Sequence, residues 1–378
     1  MQITQINLQP HFGGGEVYTA FLCRALDRLG VSTHLFAHPD AAFWDRLGLP
    51  ANTQISYAKD TATLLAELPH EPLWLLSHGP LPQDFLAGRD VHWLLTAMAH
   101  MPLQGRNPRS FDGHDMVFPV SNWVRDGLVA VGASVWTDAL YGVADISHRP
   151  TTNNAAILRQ SRYDWDRRKV RDRLLGQLQP LVKPLLKQVK FDKRPGLTLG
   201  IVSRLTPIKQ FPLLFSCLTP VLARYPMVNL EIFGSGGYAS VRDLDHALAS
   251  IAGQVRFWGQ QSDVRSVFAQ LDYLMTGLPE KEALGLNVIE AQACDLPVLA
   301  VKAAPFTETV ADGLTGFFYR DPREDEGADF EQLLKRLLAL PTSLHPAQAG
   351  AHLDRFSLDA FVERLRPIVA WANGALSR

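Results

Sequence analysis

The chain has 378 residues, a formal charge of −1 at pH 7, and is 47% hydrophobic and 20% charged. That composition excludes a disordered chain, and the length allows two domains of ordinary size, each with its own core. Net charge near zero identifies no partner; only the distribution of charge along the chain does. Cys23, Cys217 and Cys294 are widely spaced and form no metal-spaced cluster, so they read as buried reduced thiols of a cytoplasmic protein. The sequence opens directly on a strand-like run and has no apolar stretch of ~18 residues, so neither a signal peptide nor a spanning helix is expected.

Ile3 to Leu8 reads as a first strand, followed by Gly13-Gly-Gly15. Val17 to Leu29 has helical spacing and closes at Gly30, and Val31 to Ala37 reads as the next strand. Strand, glycine turn, helix, strand is the opening of a parallel α/β sheet. Further strands are expected at Leu73 to Ser77, Val91 to Ala97 and Met116 to Val120, and a helix over Asn122 to Val131. A second series starts at Leu197 to Val202 and runs through a helix over Pro212 to Tyr225, a strand at Asn229 to Phe233 and a Gly234-Ser-Gly-Gly237 turn. A helix over Ser240 to Ile251 and a strand at Val255 to Trp258 come next. Then follow a helix over Val264 to Gln270, a strand at Tyr273 to Thr276 and a helix opening at Asn287. The strand Val298 to Val301 and a tail helix, Leu358 to Leu376, complete the pattern. Two successive doubly wound units are the expected architecture, with ligand at the carboxyl ends of the strands.

Between the two series the charge is lopsided. Residues 159–194 hold twelve Lys or Arg against four Asp, a net +8, interleaved with Trp165 and several leucines. One reading is a basic amphipathic segment on an anionic membrane surface; the other is a solvated helix pair broken by Pro180 and Pro184. No nucleic-acid-binding motif accompanies the charge, so nucleic acid is not an expected partner.

Four local patterns suggest chemistry. Gly13-Gly14-Gly15-Glu16 departs from G-x-G-x-x-G because position 18 is tyrosine, which argues against hydride transfer; it remains a phosphate cradle or a tight turn. Arg204 and Lys209 lie in the loop after the first strand of the second series, where two cations suit a diphosphate. Gly234 to Gly237 is a glycine turn of the kind many strand–helix connections have. Glu282-Ala-Leu-Gly-Leu-Asn-Val-Ile-Glu290 places two carboxylates around a glycine turn that leads into a helix start. Helix-terminal amides suit a phosphate and carboxylates suit hydroxyls; together they suggest a nucleotide-sugar.

Taken in order, Gly13 to Gly15, Arg204-Leu-Thr-Pro-Ile-Lys209, Phe233-Gly-Ser-Gly236, Phe257-Trp-Gly259 and the Glu282/Glu290 pair resemble glycosyltransferase family 4. Ala291 to Leu299 and Glu308 to Gly316 continue the likeness. It is strongest over 197–321 and thinner before, where Val120 to Arg125 and Leu140 to Asp145 resemble closing segments of the first domain. The resemblance implies a GT-B fold of two Rossmann-like doubly wound domains with an interdomain cleft. The expected boundaries are 1–190 for the acceptor domain, 195–357 for the donor domain and 358–378 for a tail helix crossing back to the first.

The same resemblance implies retaining transfer from a nucleotide-diphosphate sugar to a glycan or lipid-linked acceptor, in polysaccharide biosynthesis, without metal or cofactor. Arg204 and Lys209 would neutralise the diphosphate, Glu290 would hold the ribose, and Glu282 with the amides of Gly285, Leu286 and Asn287 would hold the sugar and the distal phosphate. Gly14 and Gly15 would close over the phosphates, and Gly234, Gly259 and Gln261 would lie beside the donor. His100 resembles a family histidine near the donor sugar, while His11 and His78 are strand-end histidines with acceptor contacts as their only suggested role. Alternatives are a GT-B epimerase and a non-catalytic nucleotide-sugar-binding protein. The chain departs from the family pattern at Gln210 and Asp295, where glycine is usual, and at Leu284, where an aromatic is usual. Glu280 competes with Glu282 as the first carboxylate.

Overall fold

The computed structural model describes residues 1–144, 156–164, 188–339 and 344–377. Most of the basic segment and of its membrane-surface expectation therefore lies outside the described residues. By internal contacts the chain divides into one unit of Met1–His148, Glu280–Leu286 and Ala351–Arg378, and a second of Arg149–Pro279 and Asn287–Gly350.

In the first unit, strands β1 (Gln2–Asn7), β2 (Ser32–Ala37), β3 (Thr53–Tyr57), β4 (Leu73–Ser77), β5 (Trp93–Ala99) and β6 (Met116–Pro119) form one parallel sheet in the order β3-β2-β1-β4-β5-β6. Helices α1 (Gly14–Arg28), α2 (Thr61–Glu67), α3 (Gln83–Ala87) and α4 (Asn122–Ala130) fill its connections. β1 is central and pairs with β2 on one side, Ile3 opposite Thr33, and with β4 on the other, Ile3 opposite Trp74. Parallel strands covered on both faces have no polar side, which is why β1 is buried from Ile3 to Asn7. Gly30 (φ +72) follows α1 in the left-handed conformation that ends a helix most easily at glycine, as the sequence predicts.

The second unit repeats the winding. Strands β7 (Leu197–Val202), β8 (Val228–Phe233), β9 (Val255–Phe257), β10 (Tyr273–Met275), β11 (Val298–Val301) and β12 (Gly316–Tyr319) are parallel in the order β12-β11-β10-β7-β8-β9. Its principal helices are α5 (Phe211–Leu222), α6 (Tyr238–Ala247), α7 (Val264–Phe268), α8 (Leu286–Ala293) and α9 (Ala328–Ala339). The order counted from β7 matches the order counted from β1. Each sheet therefore has one reversal of strand order beside its first strand, between β1 and β4 and between β7 and β10. The loops leaving two strands at such a point splay apart and open a crevice. α5 packs Phe211, Leu214, Phe215 and Leu218 onto Leu199, Ile201 and Leu230 to make the larger core of this unit.

Two boundaries differ from the sequence reading. Residues 156–164, expected in the first domain, bond to the second unit: Gln160 N donates to Trp258 O at 2.8 Å and Gly236 N to Arg162 O at 3.1 Å. Residues 280–286, expected in the donor domain, group with the first unit, where buried Ser121 donates through Oγ to Ala283 O at 2.5 Å and caps α4 by accepting Val124 N. The final helix, α10 (Leu358–Leu376), lies on α1, with Phe361 and Tyr18 edge to face at 5.6 Å, and Ala144 N donates to Phe356 O at 2.8 Å. Strand β3 escapes the sequence reading because it is an edge strand whose residues are all only partly covered or exposed, so its apolar signal is weak. The helix expected through Ile251 stops at Ala247 and continues as 3-10 turns with Ile251 non-helical.

Glu231 illustrates how polar groups are kept inside this fold. Its carboxylate is 1% exposed, accepts from Arg194 and Arg256, and receives Trp258 Nε1 at 2.6 Å. A buried carboxylate needs such partners, because an unpaired charge in the interior costs several kcal/mol, on the order of 3–5.

Candidate functional site

At the crevice of the second unit, the ends of the strands are tied together by backbone. Ser203 N donates to Phe233 O at 3.0 Å, Leu205 N to Ser235 O at 2.8 Å and Gly234 N to Gly259 O at 2.9 Å. Arg204 leaves this knot exposed, two residues after the end of β7. Pro207–Lys209 forms a 3-10 turn that brings the Lys209 carbonyl against the chain leaving β10, where it accepts Leu278 N at 3.3 Å. A Cβ on Gly277 would stand 2.0 Å from Lys209 O, so only glycine allows this approach. Asn287 Nδ2 donates to Val202 O at 3.2 Å and ties the start of α8 to the end of β7. Glu290, 6% exposed, stands one turn into α8. Named contacts thus bring Lys209 and Asn287 to the β7/β10 reversal, with Arg204 in the same loop as Lys209 and Glu290 one turn further along α8.

Three other residues expected beside the donor have packing reasons of their own. A Cβ on Gly234 would meet Ser203 O at 1.9 Å, and one on Gly259 would meet Ser161 O at 2.5 Å. Gln261 spends its amide on Leu158 O at 3.0 Å and Trp258 O at 2.8 Å, holding residues 158–161 over that edge of the sheet. Close backbone approach accounts for glycine at 234 and 259, and the two amide bonds account for Gln261.

The remaining expected residues belong to the first unit. Gly14 and Gly15 are the first two residues of α1 rather than a separate loop. A Cβ on Gly14 would touch Leu286 Cδ1 at 3.3 Å, whereas one on Gly15 would meet nothing within 4 Å. Packing therefore does not require glycine at 15. Gly285 has φ +84, the left-handed value that turns the chain into α8. Leu286 projects its side chain so close to Gly142 that a Cβ there would lie 2.3 Å from Leu286 Cδ2. Glu282 is half-buried and accepts Ala283 N through Oε1 at 3.3 Å; Glu280, its competitor, is equally half-buried.

His100 follows β5 and meets the edge of Tyr18 at 4.9 Å and 79°. It is joined to a polar cluster that the sequence did not reveal. His78 Nδ1 lies 2.9 Å from His100 Nε2, His78 Nε2 lies 2.8 Å from Gln5 Oε1, and Thr19 Oγ1 lies 3.1 Å from His78 Nδ1 while donating to Gly15 O at 2.9 Å. Burial holds His100 down to about 4, and burial followed by the charge of His100 pushes His78 well below the ordinary histidine range. Both rings are neutral at pH 7. The alternation of β1 gives the only sequence signal for Gln5, a polar residue at a position where the pleat points inward.

Both positions where glycine was expected adopt glycine's backbone. Gln210 has φ +53 and Asp295 φ +63, each in the left-handed region. Asp295 offsets its strain by accepting Ala347 N at 3.1 Å and meeting His345 Nδ1 at 3.0 Å. Among the described residues no group of three or more His, Cys, Asp or Glu is arranged to hold a metal ion, and no helix is long and apolar enough to cross a membrane.

Residues 196–339 match the family model described as Glycosyl transferases group 1. Over that span the chain is similar to the group 1 glycosyl transferases. The match covers β7 to α9. A D-inositol 3-phosphate glycosyltransferase of Rhodococcus erythropolis is 30% identical over 175 residues, covering 43% of this chain and 39% of the relative. A GDP-mannose-dependent monoacylated alpha-(1-6)-phosphatidylinositol monomannoside mannosyltransferase of Corynebacterium glutamicum is 32% identical over 148 residues, 36% of each chain. The chain thus spans about two fifths of the length of such curated relatives. Over its whole length it shares the fold of Anabaena HepE, solved with UDP and glucose (TM-score 0.70, 17% identity, 98% and 99% of the two chains). It also shares the fold of a sucrose-phosphate synthase of Thermosynechococcus elongatus (TM-score 0.69, 14% identity, 99% of each chain). The fold is GT-B, as the group 1 resemblance implies.

Proposed function

We propose that the protein transfers a sugar, with retained anomeric configuration, from a nucleotide-diphosphate sugar to a glycan or lipid-linked acceptor. The observation that carries this reading is the gathering of Arg204, Lys209, Asn287 and Glu290 at the β7/β10 reversal, inside the span that matches the group 1 family. Cleaving a sugar–diphosphate bond builds negative charge on the departing phosphate, and preorganised cations with helix-terminal amides lower that barrier. Arg204 and Lys209 supply the cations and the start of α8 the amides, so the charge is met without a divalent ion. Glu290 takes the ribose hydroxyls, and Glu282 with the 285–287 turn takes the transferred sugar. UDP and glucose in the HepE structure, and GDP-mannose in the name of the mannosyltransferase relative, support a nucleotide-sugar of one of these classes as donor.

The test is a donor panel with the full chain, using UDP- and GDP-sugars with glycan and lipid-linked acceptors, in chelator and in added divalent metal. Product NMR reports the anomeric configuration. Transfer with retention, unaffected by chelator, is expected. Inversion, a requirement for metal, or nucleotide binding without transfer across the whole panel would each overturn part of this reading.

A further inference from the structure

The half-buried histidine pair of the first unit has a directional hydrogen-bond order that no sequence motif announces. His78 and His100 have ring planes 10° apart and centroids at 5.2 Å, with Nδ1 of one 2.9 Å from Nε2 of the other. The centroid separation exceeds the nitrogen separation by about two ring radii, so the rings meet edge to edge in one plane. That is the geometry of an in-plane N–H···N bond rather than of a face-to-face stack.

The direction of that bond is set from β1. Gln5, fully buried, turns its amide nitrogen toward Cys23 Sγ at 3.5 Å and its Oε1 toward His78 Nε2 at 2.8 Å. An amide oxygen only accepts, so His78 carries its proton on Nε2 and leaves Nδ1 bare. Bare Nδ1 then accepts from His100 Nε2–H, and His100 in turn is left with an unprotonated Nδ1. Thr19 completes the enclosure: it accepts Asn7 Nδ2 at 3.0 Å, donates to Gly15 O at 2.9 Å, and stands beside His78 Nδ1.

We infer that Gln5 and His78 are positioning residues that hold His100 in the Nε2–H tautomer, so that it offers Nδ1 as a neutral acceptor to a substrate hydroxyl and donates no proton. This rests on the transferase reading only for the identity of the hydroxyl, which is then a sugar hydroxyl; the tautomer follows from the protein alone. The relay gives a polar Gln5 in the central strand of the sheet a use. A leucine there would leave His78 Nε2 buried without an acceptor, which costs more than the bond itself contributes. The groups facing the pair are Gln5 from β1, Thr19 and Tyr18 from α1; Tyr18 itself donates to Leu140 O at 2.6 Å and so turns its hydroxyl away from the imidazoles. Tautomer control through a second residue is how ring orientation is set wherever one imidazole nitrogen must be kept free.

The decisive measurement is nitrogen NMR of the full chain labelled with 15N-histidine at pH 7, with His78→Asn and His100→Asn used for assignment. Protonated Nε2 and unprotonated Nδ1 on both rings are expected. A proton on Nδ1 of His100 overturns the inference. Gln5→Met removes the acceptor, and both rings should then show mixed tautomers, while Gln5→Glu restores an acceptor and the single tautomer. Unchanged tautomers in Gln5→Met would overturn the relay. In transfer assays Gln5→Met should lower kcat about tenfold, the scale of one well-placed hydrogen bond, with nucleotide-diphosphate affinity within about twofold of the parent. An equal loss in Gln5→Glu and Gln5→Met would mark a merely structural role. The nitrogen spectra decide the relay whether or not transfer is observed, so its failure is distinct from failure of the proposed activity.

Discussion

The two crevices of this protein sit at the same place in the same winding and are furnished in opposite ways. At the β1/β4 reversal the polar groups are neutral: buried Gln5 and Thr19 and half-buried His78 and His100, each with a partner that fixes its orientation. At the β7/β10 reversal they are charged and reachable, with Arg204 exposed and Lys209 half-buried on a turn held by backbone bonds. Topology decides where chemistry is possible, and the residues placed there decide which kind. Fixed neutral groups discriminate by direction, whereas exposed cations act by charge and gain most when a multiply charged ligand covers them.

The largest consequence concerns charge. Under the proposed function, Arg204→Ala and Lys209→Ala should each lower kcat by about 10²–10³-fold, near 3–4 kcal/mol of transition-state stabilisation, with weakened nucleotide-diphosphate binding by calorimetry. Unaltered binding in both variants would remove the contrast between the crevices. His100→Ala should cost less, about tenfold in kcat, because it deletes one neutral hydrogen bond. A loss there as large as at Arg204 would show that the first crevice carries charge chemistry after all.

Acid should act on the first crevice before the second. The folded pKa of His100 is lowered to about 4 and that of His78 is lowered in the same direction, so between these values and the ordinary 6.5 the unfolded chain binds more protons than the folded one. Stability contributed by keeping these rings neutral is complete above about pH 6.5 and is lost progressively as pH falls toward 4. Thermal melting from pH 7.5 to 4.5 should show this fall, and the His78→Asn, His100→Asn double variant should melt with a shallower pH slope. Equal slopes would refute the assignment of that acid sensitivity to the pair.

The smallest expected effect tests the backbone beneath the cations. Gln210 holds φ +53 immediately after Lys209. Gln210→Gly relieves a left-handed cost of about 1–2 kcal/mol but frees the unfolded chain, for a net gain of roughly 0.5 kcal/mol in chemical denaturation. The same change at Asp295 should gain nothing, because it also deletes the bonds to Ala347 and His345.

Local signals made much of this legible. Glycines that close helices, short apolar runs bounded by turns, and alternation of strand with helix gave β4, β7, β11 and α10 with their observed limits, because each is encoded by neighbours in the chain. Edge strand β3 was illegible for the same reason, since a strand with one paired side and little burial needs few apolar residues. Arg204, Lys209, Glu282 and Glu290 stood out because in chain order they resemble a family pattern; two cations after a strand are, by themselves, as readily a solvated surface. Gly234 and Gly259 also answer to close approach of the chain to itself, and Gln261 to its bonds with Leu158 and Trp258, reasons that only the tertiary structure exposes.

By itself, the sequence determined two doubly wound parallel sheets and the placement of Arg204, Lys209 and Glu282 in loops after strands and of Glu290 in the helix that follows, since periodicity and turn chemistry are short-range properties. The tertiary structure alone decided that residues 280–286 group with the first unit, and that Gln5 of β1, Thr19 of α1, and His78 and His100 at the ends of β4 and β5 share a single hydrogen-bond order. That order depends on register between β1, β4 and β5, and register is set by packing across the sheet, which no local stretch of sequence contains.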